Sequence, residues 1–206
     1  MQNLPTFAPA LSSSRTPRHS SLLKFVRHGA TQPNLAGLRC GGDLDVPLTD
    51  TGREQAADVG QRLAALGCRV GVIVTSDLRR TRETARIVAL ALPGVEVIVE
   101  PGFAERRLGA WNLRPIADTE AELVRGDTPP GGESNEHFFE RIGAAIETLL
   151  PRLEQRPLLV GSKGVARALG ELLGQPTPDM ANGALADFEL AAFSQRRSPN
   201  AQRCTP

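Results

Sequence analysis

Tyrosine is absent from this chain, tryptophan occurs once, and aromatic residues together make up 4% of 206 residues. A surface that stacks bases needs exposed rings, so this scarcity argues against a nucleic-acid binder. An excess of one charge is lacking too. Against 24 Lys and Arg stand 23 Asp and Glu, a formal net charge of +1, so no bulk basic field exists to attract a phosphate backbone. No apolar run approaches the ~20 residues that span a bilayer, and no membrane partner is expected. The three cysteines, Cys40, Cys68 and Cys204, are odd in number, far apart and without a C-x-x-C pair. A disulfide framework or cysteine zinc site is thereby excluded, and unpaired thiols in a reducing cytoplasm are expected.

Acidic residues are missing from the start of the chain, where none precedes Asp43. Residues 1–21 are rich in Ser, Thr and Pro and carry Arg15 and Arg18, a superficial likeness to a transit peptide, without an apolar core of secretory length. A disordered tail, or a start assigned too early, is the expectation, and a second tail is expected over 195–206. Between them, 22–194 has the length of one domain.

Within that span, short apolar runs alternate with helical patterns. Leu22 to Val26, Val70 to Val74, Val95 to Val99 and Leu158 to Val160 are short runs too apolar for one-face alternation, which suits strands covered on both sides, and Leu185 to Leu190 is a fifth candidate strand. Ala56, Val59, Leu63 and Leu66 form one helical stripe, with Thr51 and Glu54 as a possible capping box. Leu78, Thr81, Ala85, Val88 and Leu92 form a second. The third runs from Phe138 to Leu153 with Ser134 as cap, and the fourth from Val165 to Leu173 before Gly174 and Pro176. Such alternation predicts a three-layer α/β/α sandwich with a mostly parallel central sheet. Sites in such sheets form beyond the carboxyl ends of the strands, where His28, Ser76 and Lys163 are expected to converge.

Arg27, His28 and Gly29 directly follow the first run. An imidazole can attack phosphorus, a guanidinium can hold two phosphate oxygens, and a glycine lets backbone come close. Four further segments follow in order: Thr31 to Asn34 with Pro47 to Ala56, Ser76 to Ala85, Glu105 to Trp111, and Pro130 to Ser134 with Arg141. Together they resemble the histidine phosphatase superfamily, which contains cofactor-dependent phosphoglycerate mutases and many small-molecule phosphatases. The likeness extends from about Leu23 to Leu190.

The resemblance implies that His28 becomes phosphohistidine, that Arg27 and Arg80 bind the transferring group, and that Asn34 adds a hydrogen bond. It implies that Glu105 protonates the departing alkoxide and then activates water. Charge spreading over three phosphoryl oxygens calls for such fixed donors. The substrate implied is a small phosphorylated metabolite, with no metal and no organic cofactor. Oligomeric state stays open.

One departure stands out. The family carries a second active-site histidine after the late strand, and Lys163 occupies that place here. An ammonium can supply both the positive charge and a hydrogen bond, so Lys163 is expected to complete a three-cation pocket. Asn112 and Leu113 depart more mildly, where relatives often have Glu-Gly. Hydrolysis of a phosphomonoester is therefore the expected reaction. Two alternatives remain: a silent phosphate-ligand sensor or interaction module on the same fold, and a phosphoglycerate mutase-type phosphotransferase. The stretch between Trp111 and Gly132 is short for a mutase, which must shield its intermediate from water.

Overall fold

The structure, a computed structural model, describes residues 22–177, 179–190 and 193. Both expected tails lie outside the described residues. Five strands, β1 (Leu22–Arg27), β2 (Val72–Thr75), β3 (Glu96–Val99), β4 (Pro157–Gly161) and β5 (Leu185–Glu189), form one sheet in the order β3-β2-β4-β1-β5. β1, β2, β3 and β4 run parallel, and β5 pairs antiparallel along β1. Among the described residues six α-helices accompany them: α1 (Gln32–Leu35), α2 (Asp50–Ala65), α3 (Arg79–Leu90), α4 (Glu120–Arg125), α5 (Asn135–Leu149) and α6 (Lys163–Leu173).

Two hydrophobic cores explain why β1, β2 and β4 are apolar on both faces, whereas the edge strands β3 and β5 are largely half-buried or exposed and not covered on both sides as expected. Successive strand residues point to opposite sides. Phe25, Val72, Val74 and Leu159 pack with Phe138, Ile142, Ile146, Val165 and Leu169 of α5 and α6. Val26, Ile73, Leu158 and Val160 pack instead with Val59 and Leu63 of α2 and Ala85 and Val88 of α3. The predicted three-layer sandwich with a mostly parallel sheet is the observed fold.

Two helix ends differ from expectation. α2 is capped by Thr49 rather than Thr51, with Gly52 N–H donating to Thr49 Oγ1 at 3.1 Å. Tertiary bonds decide this, because Thr49 N–H and Oγ1 also donate to Ala30 O at 2.9 and 3.1 Å. α5 is capped by Ser134 as expected, with His137 N–H at 3.1 Å, but stops at Leu149. Residues 150–155 tighten into a 3₁₀ turn, since Pro151 has no N–H to continue an α-helix.

Candidate active site

β1 and β4 are neighbours in the middle of the sheet, in the register Val26↔Val160 and Arg27↔Gly161. His28 N–H donates to Gly161 O at 2.9 Å, extending that ladder past the strand ends. The loop after β1 is then anchored from three sides. Gly29 N–H donates to Thr84 Oγ1 at 3.1 Å and Ala30 N–H to Gln55 Oε1 at 2.8 Å. A side chain on Gly29 would collide with Gly52 O at 2.1 Å. The close approach permitted by this glycine is thus to helix α2.

His28 is 3% exposed, and its Nδ1 lies 2.7 Å from Gly29 O. A carbonyl can only accept, so Nδ1 carries the proton and Nε2 keeps its lone pair. Burial pushes the imidazole pKa well below its usual 6.5, and the charges of Arg80 and Arg27 push it further down. The Gly29 carbonyl opposes them weakly. A neutral imidazole with a free nitrogen is the nucleophilic form.

A cavity of about 560 Å³ opens beside it, lined at one end by Arg27, His28, Asn34, Glu105, Ser162 and Gly164. Arg27 Nη1 donates to Met180 O at 2.5 Å, while its Nε is buried without a partner. Burial lowers the Arg27 pKa, an effect offset by Glu105 and Asp179. Arg80 is fully buried behind this end and does not line the cavity. Its two terminal nitrogens hold Leu44 O and Gly41 O at 2.8 and 3.1 Å, and its Nε has no partner. Among the described residues, the buried side-chain polar atoms without any hydrogen bond are Arg27 Nε, Arg80 Nε and Ser162 Oγ. A buried polar atom left unpaired costs about 1–3 kcal/mol, and Arg27 and Ser162, which carry two of the three, line the cavity together with His28.

Asn34 Oδ1 accepts from Thr31 N, Thr31 Oγ1 and Asn182 Nδ2 at 3.2, 2.9 and 3.2 Å. Its amide nitrogen is left for the cavity. Glu105 is held by both oxygens. Oε1 accepts from Arg106 N–H at 2.7 Å and Oε2 from Gly164 N–H at 2.9 Å, and a side chain on Gly164 would meet Glu105 Oε1 at 2.1 Å.

Lys163 lies at the rim. Its side chain is 61% exposed, and Nζ donates to Asp179 Oδ1 at 2.7 Å. This hydrogen bond and charge hold the Asp179 carboxyl below its ordinary pKa. Ser76, expected nearby, instead pairs with Thr81 Oγ1 at 2.7 Å and is not among the lining residues.

Two further arginines of the cavity lining are engaged. Arg39 holds Thr119 and Glu120, and Arg106 holds Glu133 O, Asn135 Oδ1 and Asp127 O. Sequence reasoning passed over Ser162, Arg167, Asp179 and Asn182. Of these, Arg167 lines the cavity, half-buried, with no hydrogen bond or ion pair among the described residues. Its place one turn after Lys163 on α6 was the available signal. Glu133 braces a loop through Arg141 at 2.8 Å; burial raises its pKa, but the Arg141 pair and Arg107 N–H more than reverse this. No group of three or more His, Cys, Asp or Glu among the described residues could hold a metal ion. No helix among them is long and apolar enough to cross a membrane.

The model of the histidine phosphatase superfamily, branch 1, matches residues 23–198. This chain belongs to that superfamily. "Probable phosphoglycerate mutase GpmB" of Photorhabdus laumondii is 37% identical over 189 residues, covering 85% of each chain. TTHB049 from Thermus thermophilus superposes with a TM-score of 0.66 at 29% identity, over 81% of this chain and 92% of that one. An Escherichia coli K-12 protein provisionally named an alpha-ribazole-5'-P phosphatase gives 0.66 at 28%, over 81% and 88%.

Proposed function

We propose that the protein hydrolyses a small phosphomonoester through a phosphohistidine on His28. The observation that carries this is a buried, neutral imidazole whose Nε2 is free, beside a cavity end where Arg27 Nε and Ser162 Oγ lack partners. His28 Nε2 attacks phosphorus, and the bond to the leaving oxygen breaks as Glu105 gives that oxygen its proton. Water then attacks the phosphohistidine, returning a proton to Glu105 and freeing phosphate and His28. Arg27 binds phosphoryl oxygens directly. Arg80, whose terminal nitrogens hold carbonyls and which does not line the cavity, contributes its charge from behind. Asn34 directs its amide nitrogen to the same group.

Lys163 supplies the positive charge of the expected third cation, exchanging Asp179 for a phosphoryl oxygen when substrate enters. The leaving group meets Leu38, Ile116 and Leu123, with Arg167 as the free cation on that side. No metal or organic cofactor takes part in these steps. Cys40 and Cys68, both unpaired, suit a reducing cytoplasm.

Incubation with p-nitrophenyl phosphate and a panel of phosphorylated metabolites tests the reading, with His28→Ala as blank. Hydrolysis lost in that variant, with acid-labile phosphate trapped on the wild-type protein, is expected. Thermal stabilisation by these ligands without turnover would instead identify a sensor.

A further inference from the structure

We infer that Ser162 Oγ donates the hydrogen bond that seats a phosphoryl oxygen opposite Arg27, dividing with Lys163 the two contributions, hydrogen bond and charge, expected after β4. This rests on the phosphoryl-transfer reading above. The sheet register places the hydroxyl. Val26 and Val160 are paired and both pack into the core under α2 and α3. His28 and Ser162 each lie two residues further on, and Ser162 keeps extended backbone at φ −111° and ψ 169°. Side chains two apart on a strand share a face, so imidazole and hydroxyl leave the sheet on one side, about 4.8 Å apart at their backbones.

What the hydroxyl does not do is as informative. Ser162 is the N-cap of α6, where a serine ordinarily accepts a hydrogen bond from the second or third amide of the helix. It makes no such bond. The Gly164 amide is taken by Glu105 Oε2, so the carboxylate caps the helix in place of the serine. Ser162 lines the cavity and is 3% exposed, and its Oγ is buried with no protein partner. Lys163, the next residue, has already given its ammonium to Asp179 at the rim. The N-terminal end of an 11-residue helix therefore faces the cavity with one unspent hydroxyl, where backbone dipoles favour an anion. A hydroxyl proton rotates freely about its C–O bond, so it can turn to an arriving phosphoryl oxygen without displacing the main chain.

The test compares wild type, Ser162→Ala and Ser162→Thr as full-length proteins. Turnover of p-nitrophenyl phosphate, the unliganded Tm, and the Tm rise given by inorganic phosphate are measured on each. Ser162→Ala is expected to lower kcat/KM about 10²-fold, the usual loss for one preorganised donor. Its unliganded Tm should hold or rise, because no hydrogen bond is lost, and its response to phosphate should shrink. Ser162→Thr, which keeps the hydroxyl, should recover most of the activity. Wild-type turnover and phosphate response in Ser162→Ala would overturn the inference, as would a fall in its Tm that matches the loss of activity. Should wild type bind phosphate without turning over ester, the hydrolase reading fails, and a weaker phosphate response in Ser162→Ala still upholds the seat. A wild type that neither turns over ester nor responds to phosphate overturns both.

Discussion

In the cavity lining, Arg27 Nε and Ser162 Oγ are buried without partners, whereas elsewhere in the same lining half-buried Arg39, buried Arg106 and exposed Lys163 already hold oxygens of the protein itself. The two regions carry similar residue types and treat them oppositely. Unpaired donors cost stability and are tolerated where a ligand will satisfy them. Paired ones fix the shape of the lining and attract little by themselves. An arginine in a phosphatase pocket is therefore informative only once its partners are known.

The sharpest way to break the contrast is at the unpaired donors. Arg27→Ala is expected to lower kcat/KM about 10³-fold, with kcat falling at saturating substrate, because the interaction strengthens as charge develops. A change confined to KM would place Arg27 in uniform binding and weaken the comparison.

Gly164→Ala should come next. The added methyl displaces the Glu105 carboxylate, so hydrolysis of an alkyl phosphate should fall about 10²-fold. Hydrolysis of p-nitrophenyl phosphate should fall far less, since that leaving group needs little protonation. Equal losses on both esters would show that Glu105 is not the acid.

At the rim the effects should be smaller. Lys163→Ala is expected to reduce kcat/KM about tenfold, and Lys163→His to cost clearly less. Asp179→Asn, which releases the ammonium, should raise kcat/KM roughly threefold at low salt and lose that gain at high salt, as for any exposed pair. Negligible effects from both lysine variants would assign it to the surface.

The smallest effect concerns stability. The folded-state pKa of His28 lies below its unfolded value near 6.5, so the unfolded chain binds a proton first as pH falls. Stability is intact above pH 6.5 and declines below it, by up to about 3 °C in Tm per pH unit. Differential scanning fluorimetry between pH 7 and 5 should show this slope, and His28→Gln should flatten it.

The scaffold was legible because periodicity depends on local pattern and burial. Phe25 and Val26 face different cores, which is why the first run reads as apolar throughout, and the same holds for β2 and β4. Gly29 and Gly164 were legible as glycines but not as to what they approach, since Gly52 and Glu105 lie far away in sequence. The cap of α2 was misplaced by two residues, because the Ala30 carbonyl that favours Thr49 belongs to another segment. Lys163 was found by position, yet its bond to Asp179 is a side-chain choice that no spacing encodes. Ser162 was passed over because a serine before a helix has an ordinary explanation, and only the Glu105 bond to Gly164 removes it.

The contact of Gly29 with Gly52 bears on any attempt to give this protein a new substrate. Neither position can accept even a methyl group, for each would drive a carbon into the backbone of the facing segment. Libraries built to enlarge or reshape the pocket should leave both untouched and draw their diversity from Leu38, Ile116 and Leu123, where variation leaves the footing of His28 intact.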